Sequence, residues 1–145
     1  MRPGLFAFAA AAGFTGAALY IGFVEQPARF ALGTRAMIRE WMLSNRRGTV
    51  MLSALALISA VLAAIEFGLH NDVRWIIGAV VMVASWLYAY FVMTPVNVWL
   101  YAVPPADSPS RTRELMRDWG LLEWGQVLIG LAAAGLFAWA LSTPA

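Results

Sequence analysis

The sequence predicts an all-α integral membrane protein, a single domain (residues 1–145) built as a four-transmembrane-helix bundle. Three observations carry this. Of 145 residues, 61% are hydrophobic and only 12% charged, too apolar for a soluble domain of this size. Four apolar stretches, 5–24, 48–69, 75–94 and 121–141, are each long enough to cross roughly 30 Å of hydrocarbon as a helix. Arginines collect in two of the three connections between them.

The first span is uncharged from Leu5 to Val24 and then runs into Glu25-Gln26-Pro27-Ala28-Arg29. Arg2 and Ala9 to Ala12 have the look of a signal peptide, but the stretch is too long and too continuous with the next segment of chain. Pro27 lacks an amide donor and disfavours helical geometry before it, so the helix is expected to break or re-cap there. Gly13, Gly16, Ala17 and Tyr20 recur at helical spacing and predict a close packing face. From 29 to 47, Phe30, Met37, Ile38, Trp41 and Met42 alternate with arginines, the pattern of an amphipathic interfacial helix, either separate from span two or continuous with it. The second span ends in Glu66 and His70, followed by Asp72 and Arg74, read as a solvated turn because two ligands do not make a metal site. The third span closes on Pro95 and Asn97, and the fourth carries Glu123 and Gln126 about one turn in. Trp41, Trp75, Trp99, Trp119 and Trp124 lie near span ends, where indoles favour the headgroup region.

Composition excludes several chemistries. All ten basic residues are arginine, so no lysine Schiff base can form. Cysteine is absent, which removes thiol–disulfide exchange, iron–sulfur clusters and thiolate metal sites. His70 is the only histidine, so one chain cannot build a bis-histidine haem. No cofactor and no metal are expected. Eight arginines fall in the connections after spans one and three, against Arg2 and Arg74 on the other side. The positive-inside rule then puts both long connections in the cytoplasm and both termini outside. The net charge of +2 reflects this membrane-face arginine and gives no reason to invoke nucleic acid.

A weak internal repeat aligns Leu19-Tyr20-x-x-Phe23-Val24-x-x-Pro27 with Leu87-Tyr88-x-x-Phe91-Val92-x-x-Pro95, a shift of 68. A further nine residues of shift pairs Gly48-Thr49-Val50 with Gly125-Gln126-Val127. Two helix pairs related by an axis along the membrane normal would result, with Arg29 corresponding to Asn97, Arg46 to Glu123 and Thr49 to Gln126. Polar groups would then converge at the arginine-rich end: Glu25, Arg29, Arg46, Arg47, Asn97, Glu123 and Gln126. There Glu123 reads as either a general base or a structural partner of Arg29 or Arg46. Asn97 reads as a helix cap or a group that binds a ligand carbonyl.

The pattern Gly13-x-x-Gly16-x-x-x-Tyr20-x-x-x-x-Glu25-x-Pro27-Ala28-Arg29, then Pro95-x-Asn97, then Trp119-Gly120, resembles the anthrone-oxygenase-like family of small four-helix membrane proteins. The resemblance runs from about Gly13 to Gly130. It implies cofactor-independent oxidation of a lipophilic, easily deprotonated aromatic: Glu123 as the base, Arg29 and Asn97 holding the oxyanion, with Tyr20, Glu25, Arg46, Trp119 and Gln126 around the ligand. The sequence departs from the family where members often carry a histidine and an arginine after the tryptophan of the last helix, since Glu123 and Gln126 stand there. The alternative is a non-catalytic protein that binds lipid or a partner. Membrane lipid and a small hydrophobic or aromatic ligand are the expected partners, and self-association is left open.

Overall fold

The computed structural model describes residues 2–102 and 109–143. Four helices form it: α1 (Pro3–Phe30), α2 (Thr34–His70), α3 (Val73–Ala102) and α4 (Pro109–Ser142), each apolar and long enough to cross a membrane. The protein is an integral membrane bundle, with no strand among the described residues. Helices α1 and α3 occupy one diagonal and α2 and α4 the other, each helix packing on both members of the opposite diagonal.

Lengths of 28 to 37 residues exceed the roughly 20 needed to span hydrocarbon. All four therefore extend beyond the expected spans, mostly at the arginine-rich end. The segment 29–47 is helical over most of its length and continuous with span two. Arg29 and Phe30 finish α1, a turn comes next, and Thr34 opens α2, which continues unbroken to His70. No proline falls between Thr34 and His70, and extended Gly33 provides the N-cap. Arg113 of α4 donates to the carbonyls of Phe30 and Leu32 at 2.7 and 3.1 Å, satisfying acceptors that α1 leaves open at its C-terminus.

Pro27 does not break α1. The helix widens into one π turn, Ile21–Glu25, with the Gln26 amide bonding the Ile21 carbonyl, and α-helix resumes with Pro27 in its first turn. In a uniform α-helix the proline ring would strike the carbonyl four residues back; a wider turn relieves the clash, and the missing N–H costs little where helical bonding restarts. A second π turn, Ala89–Met93, stands in the same relation to Pro95. The shift is again 68, so the repeat read in the sequence also appears in the backbone.

The glycine face expected on α1 is not an interface at Gly16, which is exposed with open space where a Cβ would go. Close approach comes instead from α4. A Cβ on Gly120 would overlap the Gln26 amide, one on Gly125 the Tyr88 ring, and one on Gly130 the Thr15 hydroxyl. Tyr88 uses its hydroxyl to bond the Leu122 carbonyl at 2.6 Å. Trp41, Trp75 and Trp119 are buried inside the bundle and are not interfacial anchors: Trp41 and Trp119 pack edge to face on each other, and Trp75 stacks on Phe137. Trp99 remains exposed.

At the opposite end Glu66 is buried, not solvated. It accepts from the Gly4 amide at 2.8 Å, capping α1 across the bundle, and pairs with His70 at 3.1 Å. Asp72 caps α3 through the Arg74 amide. The Arg74 guanidinium, 2.7 Å from Asp72, holds that carboxyl below the usual carboxylate range.

Candidate functional site

The i, i+4 series Ala17, Ile21, Glu25, Arg29 on α1 and Ser85, Ala89, Met93, Asn97 on α3 face one cavity of about 840 Å³. The two series are equivalent under the 68-residue shift, so both π turns aim matching faces inward. Helix α2 contributes a wide arc from Glu40 to Ser53, and α4 contributes Trp119, Glu123 and Gln126.

Arg29 closes the arginine-rich end. Only 2% exposed, it donates from Nε to Glu40 at 2.5 Å, from Nη1 to Gln26 at 3.0 Å, and from Nη2 to Glu25 at 2.6 Å and to Ser44 Oγ. Its guanidinium lies 5.3 Å from the centre of the Trp119 ring, within cation–π range. Three more contacts complete the floor. Gln26 donates to the Met116 carbonyl at 2.7 Å, Trp119 Nε1 donates to Asn97 Oδ1 at 2.9 Å, and Trp41 packs against Tyr101 and Trp119. All four helices are tied together there.

Glu123 and Gln126 sit above this floor, 5% and 6% exposed. Gln126 Nε2 donates to the Ser85 carbonyl at 3.3 Å, and since a carbonyl only accepts, the amide oxygen must point the other way. Glu123 Oε1 and Gln126 Oε1 are both buried without any hydrogen-bond partner. Two orphaned acceptors three residues apart on one helix face, lining a cavity, form a site complementary to a donor. A buried acceptor left unpaired costs about 1–3 kcal/mol.

The cavity thus brings together Tyr20, Glu25, Arg29, Asn97, Trp119, Glu123 and Gln126. Arg46 is not among its lining residues: it is exposed, and Arg47 lines the cavity instead. The expected pairing of Arg46 with Glu123 also rests on a register the structure does not keep, since Thr49 takes that place and lines the cavity. Buried Leu52, Ala56, Ser59, Ala63 and Glu66 of α2 match Gln126, Gly130, Ala133, Phe137 and Ala140 of α4 at a shift of 74, three residues short of the alignment through Gly48. Arg29 lines the cavity with four of its N–H donors already engaged, which leaves little for an oxyanion. Sequence reasoning missed Glu40 and Ser44. Their i, i+4 spacing on α2, just after a turn that reverses the chain beyond Arg29, was the available signal. Among the described residues no group of three His, Asp or Glu side chains could hold a metal.

A family model for anthrone oxygenase matches residues 41–136, well over half of the chain. The chain belongs to the anthrone oxygenase family. The matched region holds all of α3 and most of α2 and α4, and with them Glu123, Gln126, Asn97 and Trp119. Neither a curated protein nor a solved structure matches this anthrone oxygenase family member.

Proposed function

We propose that the cavity binds a lipid-soluble, enolisable aromatic and promotes its oxidation by molecular oxygen. The observation that carries this reading is the pair of buried, unpartnered acceptors, Glu123 Oε1 and Gln126 Oε1, in a cavity walled largely by apolar and aromatic side chains. A substrate hydroxyl satisfies Gln126, and the Glu123 carboxylate takes a proton from the methylene of the central ring. The resulting enolate oxygen is met by the amide NH₂ of Asn97, whose Oδ1 is held by Trp119. Arg29 is a positioning residue in this scheme, fixing Glu25, Glu40 and Trp119. The enolate passes one electron to O₂ and the two radicals join in a C–O bond; protonation gives a hydroperoxide. Loss of the second methylene proton with cleavage of the O–O bond yields a ketone and water, so CH₂ and O₂ become C=O and H₂O.

Oxygen uptake by purified protein with 1,8-dihydroxyanthrone tests the reading. Glu123→Gln should lower the rate by about 10²–10⁴, the usual contribution of a general base. Uptake equal to that of Glu123→Gln would refute catalysis. Retained binding without uptake would instead favour a non-catalytic ligand-binding role, a reading supported by the departure from the family at Glu123 and Gln126.

The arginine distribution supports placing the floor on the cytoplasmic side. The chain has no cysteine, so single cysteines at exposed Gly33 and Asn71 can be labelled with an impermeant maleimide. Labelling of Gly33→Cys from outside intact cells would reverse the orientation.

A further inference from the structure

We propose that the cavity loads sideways from the bilayer, through a window between α2 and α3 framed by Thr49 and Tyr90. The inference rests on the ligand reading above and concerns how the ligand arrives. The end nearest the cytoplasm is shut by the Arg29 cluster, where a 2%-exposed guanidinium bonds groups on both α1 and α2. Toward the other end the bundle fills with Phe14, Ala56, Met82 and Phe137, all essentially inaccessible. Access must therefore come from a seam between helices.

Three seams are held. Between α1 and α2, Ile21 is buried beside Gly48, Arg29 donates to Glu40 and Ser44 at one end, and Ser59 donates to the Ala7 carbonyl at the other. Gly22, Gly120 and Gly130 bring α1 and α4 too close for any added Cβ, and Gly125 does the same between α4 and α3. The α2–α3 seam differs. Near the cavity it is crossed at two levels: Trp86 Nε1 donates to the Ser53 carbonyl at 3.3 Å, and Asn45 Nδ2 approaches the Tyr101 hydroxyl at 3.4 Å. Between those levels no hydrogen bond or ion pair joins the two helices among the described residues. The interval from Asn45 to Ser53 is about 12 Å at 1.5 Å per residue.

Thr49 and Tyr90 lie in that interval, and both line the cavity while remaining exposed, Tyr90 at 68%. Leu87, Phe91 and Val98 around Tyr90 are exposed and apolar, so the opening faces lipid tails rather than water. A flat aromatic dissolved in the membrane can slide through edge-on and present its hydroxyl to Glu123 and Gln126 on the far wall, without crossing an aqueous phase.

The cysteine-free chain allows a direct test. Thr49→Cys and Tyr90→Cys are combined, the protein is reconstituted in phosphatidylcholine vesicles, and the pair is linked with a reducible bis-methanethiosulfonate. Loading of 1,8-dihydroxyanthrone from the same vesicles is monitored under argon, so that binding is read without turnover. Linking should slow loading by about tenfold or more, because a gating step now precedes binding. Protein loaded before linking should retain the probe, and a reductant should restore the original rate. An unchanged loading rate in fully linked protein, with binding intact, would overturn the window alone. Failure of the link to form would show that the two residues do not frame one opening and would overturn it equally. Absence of binding in unlinked protein would overturn the ligand reading and the window with it.

Discussion

Replacing Arg29 with methionine removes the charge that holds the floor together while keeping much of the side-chain volume. Arg29 serves two carboxylates, an amide and a hydroxyl at once. Hydrogen bonds to charged groups contribute about 1.5–3 kcal/mol each, and stranding a fully buried charge costs about 3–5 kcal/mol. Neither figure applies in full. Glu40 is 40% exposed and Glu25 26% exposed, so water recovers part of what the guanidinium supplied, as it does for surface pairs. The expected loss is about 2–4 kcal/mol. At roughly 2–4 °C per kcal/mol for a protein of this size, the melting temperature in detergent should fall by about 5–15 °C. Near-UV circular dichroism is the suitable assay because Trp119 lies against Arg29 and reports on local packing even where helices persist. The triple variant Arg29→Met, Glu25→Gln, Glu40→Gln should recover most of the loss, since removing a whole buried ionic cluster is often close to neutral. A single Arg29→Met variant melting within about 2 °C of the parent would refute the reasoning, because the carboxylates would then not depend on Arg29.

Two other substitutions probe the packing and the far end of the bundle. Gly78→Ala should destabilise by about 1–3 kcal/mol, measured by thermal unfolding, because a Cβ there would enter the Phe137 ring, itself stacked on Trp75 at 5.2 Å. Asp72 has its carboxyl lowered by Arg74, so its contribution is present above the ordinary carboxylate pKa near 3.9 and is lost as pH falls through the lower folded value. Asp72→Asn keeps the cap and removes the charge, so its melting temperature should fall less than the parent's as pH is lowered below about 4.

The bundle was legible because membrane insertion imposes length and hydrophobicity on every span, and those survive in a single sequence. Glu25, Arg29, Asn97, Glu123 and Gln126 were legible for the converse reason: polar groups in apolar stretches stand out. What failed depended on rotation about a helix axis. Arg46 and Gly16 were placed by spacing, yet an alignment offset of three residues turns a helix face by about 60° at 3.6 residues per turn, and the α2 counterpart of Glu123 is then Thr49, which lines the cavity, and not Arg46. The burial of Trp41, Trp75 and Trp119 was hidden because indoles near span ends have two good environments, interface and bundle interior, which only the length of the neighbouring helices separates. Glu40 and Ser44 were missed because their partner, Arg29, lies across a reversal of the chain, which left only their i, i+4 spacing as a signal.

Pro27 joins these levels. Read as a helix breaker, it suggested a local interruption; in the structure it selects a π turn, and Pro95 selects the same turn on the opposite corner. One extra residue in a turn rotates everything beyond it by roughly 100°. Without that rotation, positions 25 and 29 on α1 and 93 and 97 on α3 could not continue the cavity-facing rows begun at 17, 21, 85 and 89. The repeat therefore supplies a symmetric frame, and side chains break the symmetry. The α1 copy places Glu25 and Arg29 where the α3 copy places Met93 and Asn97. The charged copy recruits Glu40 and Ser44 and binds α2 tightly to α1. The copy on α3 has no equivalent hold on α2, and that is the side of the proposed window. One substitution pattern on a duplicated scaffold thus accounts for the closed floor and for the seam at which the window is proposed.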